Sequence, residues 1–112
     1  VTALQSARMT VDSRASLAER KAWTQERIKE KLRDLAAMPA DTDPAVRALA
    51  KAELTLRLAS LLTLDPRDPE AYFHLGKLAA NRETLHSALR YGRDVGLEPA
   101  KLAELQSELD NR

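Results

Sequence analysis

Residues 69–99, PEAYFHLGKLAANRETLHSALRYGRDVGLEP, decide the fold of this 112-residue chain. The stretch opens at Asp68-Pro69. Proline at a helix's first position loses no hydrogen bond, because that N–H has no intrahelical partner, and an aspartate before it accepts from the free amides that follow. A first short helix is expected to about Ala80, a turn at Asn81-Arg82, and a second helix from Glu83 to about Val95, ended by Gly96. The two fold back on each other. Gly76 lacks a Cβ, so a facing helix can approach it closely.

Working outward, the same acid-proline punctuation recurs at Asp43-Pro44 and, more weakly because the acid is a glutamate, at Glu98-Pro99. Pro44 to about Leu64 is expected to be a central helix with two apolar faces. Ala50, Leu54, Leu58, Leu61 and Leu62 form one, and Val46, Leu49 and Leu56 form a second, nearly opposite. Such a helix belongs between two neighbours, here the first helix and the C-terminal pair. A long, charged helix over residues 13–38 precedes it, capped between Asp12 and Ser16, with a narrow stripe of Leu17, Thr24, Ile28, Leu32 and Leu35. Before it, residues 1–12 read as a flexible tail or an extra turn carrying Leu4, Ala7 and Val11. A last amphipathic helix, 99–110, presents Leu102, Leu105 and Leu109. One domain is expected: an all-α antiparallel bundle or short stack of about five helices.

Composition agrees. Aromatics are 4% of residues, Ile28 is the sole isoleucine, and Ala and Leu dominate the apolar fraction, which favours helices over strands. The net charge is +1, and it is evenly spread: residues 1–43 hold eight basic and seven acidic groups, the remainder ten of each. No basic stripe of the kind that neutralises phosphates stands out, so nucleic acid is not an expected partner. No apolar run reaches the ~20 residues of a membrane span, so membrane insertion is not expected either. With no cysteine there is no disulfide or thiolate metal site, and a cytoplasmic location is the default expectation.

Residues 69–99 resemble the tetratricopeptide repeat (TPR). Tyr72 stands where that motif has a large aromatic, Leu75-Gly76 matches its Leu-Gly pair, Ala88 its small residue on the second helix, and Pro99 its closing proline. The family's 34-residue period carries Leu54, Leu58 and Leu61 onto Ala88, Gly92 and Val95, so part of a preceding repeat is echoed. Gly92 and Ala79 depart from the pattern, since the motif usually has aromatics there. The alternative is an unrelated helical bundle.

The resemblance implies a binding groove lined from the first helix of the repeat by Phe73, Lys77, Ala80 and Asn81, with Glu70 at the rim. Phe73 reads equally well as core beside Tyr72. Trp23 lies about 140° from the centre of the first helix's apolar stripe, among charges. It is either a partner anchor, a lid over the N-terminal segment, or a ring covered by the stems of Arg20 and Arg27. His74 and His86 have no second ligand at metal-site spacing, and Ser87 beside His86 points about 100° away, so neither metal, cofactor nor catalysis is expected. The alternating charges of ERKAWTQERIKEKLRD (residues 19–34) read as a solvated face or as a surface pairing with its own copy.

The expected function is a non-enzymatic TPR-like adaptor or accessory subunit holding a protein or peptide partner. The alternative is a structural bundle that forms a homo-oligomer through its long first helix.

Overall fold

The computed structural model describes residues 17–112, which form five α-helices and no strand. They are α1 (Leu17–Ala37), α2 (Pro44–Leu64), α3 (Pro69–Leu78), α4 (Arg82–Asp94) and α5 (Pro99–Asp110). The expected cap of α1 between Asp12 and Ser16 and the readings of residues 1–12 lie outside the described residues.

The helix starts follow the acid-proline chemistry. Asp43 accepts from the Ala45 amide at 2.9 Å, and Asp68 from the Ala71 amide at 3.3 Å. Glu98 makes no side-chain cap bond, in keeping with its weaker signal. The α4 terminus is the best-formed stop. Leu97 N–H donates to the Gly92 carbonyl at 2.8 Å and Gly96 N–H to the Arg93 carbonyl at 3.3 Å, the paired bonds of a Schellman motif. Gly96 takes φ +87°, a left-handed conformation costly for residues with a Cβ. Leu97 then folds back so closely that a Cβ on Gly92 would lie 3.1 Å from its Cδ2. A side chain at 92 would have to push Leu97 outward.

Each helix packs on its neighbour in sequence, and α3 also touches α5. Two apolar clusters result. Ile28, Leu54, Leu58, Leu61 and Ala71 tie α1 to α2 and α3, while Leu85, Leu89, Leu97, Leu105 and Leu109 tie α4 to α5. Leu75 and Leu78 of α3 lean on the first cluster, and Phe73 on the second. Helix α3 is therefore the wall between them.

Position 76 sets how thin that wall is. A Cβ there would lie 3.4 Å from Ala88 Cβ on α4, and only 2.7 Å and 3.1 Å from the two methyls of Leu105 on α5. The facing small residue is where expected, yet the tighter neighbour is α5. Tyr72, one turn earlier, stacks on Tyr91 of α4 with centroids 5.8 Å apart and donates its hydroxyl to the Pro66 carbonyl at 2.8 Å.

One expectation is corrected. Helix α2 does not bury two faces. Leu54 and Leu58 are fully enclosed, but Val46, Leu49 and Leu56 remain 52%, 62% and 70% exposed. Both neighbours, α1 and α3, crowd onto the same side, because the chain reverses directly from α2 into α3 through the Asp65–Asp68 turn. There Lys21 of α1 reaches Asp65 at 2.6 Å, and the Arg67 amide donates to the same carboxylate.

Gly76→Ala is expected to destabilise the protein by about 1 kcal/mol in chemical denaturation, although alanine normally gains nearly that much over glycine in a helix. Leu105 is fully enclosed, so moving its methyls away would disturb the α4–α5 cluster. Combined with Leu105→Ala, whose own cost is about 2–5 kcal/mol, the loss should fall short of the sum of the single variants.

Candidate functional site

The face of α3 assigned to a groove by the repeat resemblance is occupied by the chain's own last helix. Lys77 Nζ lies 3.0 Å from Glu104 and 3.4 Å from Glu108, both on α5, and its hydrogen bond to Glu104 holds it above the ordinary lysine range. Glu70 is held by Lys101 of α5 at 2.6 Å. The Lys101 ammonium also sits 5.3 Å from the centroid of the Phe73 ring, which is half-buried against the α4–α5 cluster. Asn81 caps α4, accepting from the Thr84 amide at 2.8 Å, and Ala80 is exposed beside it. Of the six residues singled out, Glu70, Phe73 and Lys77 are thus gathered under α5, and Ala80 and Asn81 form the turn to α4.

The open site lies on the other side of α3. No Cα of α1 comes within 8 Å of α3, so the two helices diverge above α2 and leave a groove of about 270 Å³. Leu58 and Leu61 of α2 form its floor, Ile28 and Leu32 one wall and Ala71 the other. The small Ala71 keeps the space from filling. Gln25 and Lys29 stand on the α1 rim; Asp68, Glu70 and His74 stand on the α3 rim. An apolar trough about one side chain wide between polar edges is built to accept an apolar group while its flanks make hydrogen bonds.

His74 titrates in this rim. Burial holds its pKa below the ordinary value, opposed by the nearby Glu70 carboxylate, with Lys101 reinforcing the depression. It also meets Phe73 edge-on at 5.4 Å. Near neutral pH the rim therefore offers an uncharged imidazole.

Trp23 is 61% exposed, with the Arg27 guanidinium 5.3 Å from its ring centroid. It borders a second opening of about 520 Å³, shared with Arg20, Thr24 and the Ser60–Leu64 end of α2. Among the described residues, no group of three or more His, Asp or Glu stands together as a metal site, and no helix is long and apolar enough to cross a membrane.

Sequence reasoning placed Glu70 at the rim of a different groove and did not single out this one. Ile28, Leu32, Leu58 and Leu61 were legible as inward-facing positions. What they failed to announce is that α1 and α3 would diverge above them, with Ala71 too small to close the gap.

The His74 shift gives a pH dependence with a definite sign. A group whose folded pKa is depressed contributes most above its unfolded pKa, near 6.5, and that contribution is lost as pH falls through the folded value. Thermal stability should decline from pH 7.5 to 5.5, where carboxylates stay ionised, and the decline should be smaller in His74→Gln.

Comparison with protein-family models, curated proteins and solved structures finds no match to this chain.

Proposed function

We propose that this chain is a non-enzymatic TPR-like interaction module, an adaptor or accessory subunit that holds a short segment of a partner protein in the α1–α3 groove. The observation that carries this reading is the groove itself: an apolar floor of Leu58 and Leu61, walled by Ile28, Leu32 and Ala71, between two polar rims. Its volume of about 270 Å³ falls just below the roughly 300–1,000 Å³ of pockets that enclose whole small molecules. One or two apolar side chains of a peptide suit it better than a metabolite. Gln25 and the uncharged His74 stand where the backbone of such a segment would need partners.

The site proposed from the repeat pattern alone is thereby moved. Phe73 and Lys77 serve to hold α5 in place, and the α1 side of α3 takes the ligand.

Selection from a random peptide library displayed on phage tests the reading. Peptides with a large apolar residue flanked by polar ones should enrich, binding in the micromolar range. Gln25→Trp together with Lys29→Glu, which fills and recharges the exposed rim, should weaken them at least tenfold while leaving the circular dichroism unchanged. If nothing enriches, or the selected peptides bind that variant as well as the wild type, the groove is not the ligand site.

A further inference from the structure

Helix α2 carries a second surface that the groove does not use. Ala45, Leu49, Ala52, Leu56, Ala59 and Thr63 follow one another in alternate steps of four and three residues, and all six are exposed. They form a heptad seam directly opposite the fully enclosed Leu54. The seam has an unusual regularity: alanine at every seventh position from 45 to 59, and leucine at 49 and 56 between them. Several of its neighbours are also uncharged. Ala48, Thr55 and Ser60 flank it, although 31% of the chain is charged. Thr55, Ser60 and Thr63 turn their hydroxyls onto the Lys51, Leu56 and Ala59 carbonyls at 2.9–3.1 Å, so even these polar residues present mainly carbon.

We infer that this face pairs with the same face of a second copy of the chain, the two α2 helices running antiparallel and packed closely along their alanines. The seam complements itself. With the two-fold axis near position 54, Leu49 faces the partner's Ala59 and Leu56 faces the partner's Ala52, so every leucine meets a small residue and the backbones can approach.

Charge agrees with this register. Glu53, which already pairs with Lys31 of its own chain, and Arg57 lie on one flank and Lys51 on the other, and the two-fold brings like flanks together. Glu53 then stands about 3 Å along the axis from the partner's Arg57, by the 1.5 Å rise per residue. Each Glu53, shared with Lys31 of its own chain, would thereby also face a partner arginine.

Trp23 extends the seam. It borders Ser60 and Thr63, opposite the partner's Val46, which joins two exposed large apolar side chains. The seam from 45 to 63 is about 27 Å long, one helix wide, which places the pair at the small end of stable interfaces. A dimer that dissociates in the micromolar range is expected, not an obligate one.

Sedimentation velocity on the full chain over a concentration series should show monomer giving way to a species of twice the mass. Leu56→Glu should weaken association at least tenfold without altering helicity, since Leu56 is 70% exposed in the single chain. The register is tested separately, because the chain has no cysteine. Under mild oxidation, a mixture of Ala52→Cys and Leu56→Cys chains should cross-link with each other faster than either does with itself. The inference is overturned by a monomer persisting at several hundred micromolar, by association that Leu56→Glu leaves intact, or by self-cross-links outpacing the mixed one.

Discussion

Leu105 entering the space that a side chain at position 76 would fill is the contact on which the rest of the molecule depends. It seats α5 on α3, and among the described residues α3 is the only helix shared by both apolar clusters. Without that approach, the C-terminal cluster would have no wall and Phe73 no cover. The ion pairs from Lys77 to Glu104 and from Glu70 to Lys101 then fasten the helix at two points. Being largely exposed, they set its register more than they add stability.

The position of α5 also decides which side of α3 is available. One face lies under the last helix, and the opposite face looks across α2 towards α1. Lys21 and Asp65 hold the start of α1 against the turn from α2 to α3, while Lys31 and Glu53 fasten it further along α2. Helix α1 therefore stays on α2 and stands clear of α3. A groove follows from two well-made helix pairs sharing one floor.

Much of the architecture was legible in the residues. Proline after an acid marks a helix start by local chemistry alone, and three of the five starts carry that mark. Gly96 and Leu97 likewise announce how α4 ends. The misreading of α2 has a physical reason. Apolar periodicity reports that a face avoids water, not which neighbour will cover it, and the short Asp65–Asp68 turn sent α3 to the side already shared with α1. The site was less legible for the same reason. Phe73 and Lys77 fit a repeat pattern on α3, but whether a side chain faces a groove or a neighbouring helix depends on where α5 comes to rest, and that is a tertiary fact. Asn81 looked like a ligand contact, although its amide serves the backbone of α4.

The order of contacts along the chain has a kinetic consequence. Among the described residues every helix meets the one before it, and the sole skip, α3 to α5, spans only the hairpin between them. Native partners are thus close in the chain, loop-closure entropy is small, and the search for them is short; proteins with such local topology reach their folded state in microseconds to milliseconds. A newly made chain would finish building itself before it met a neighbour.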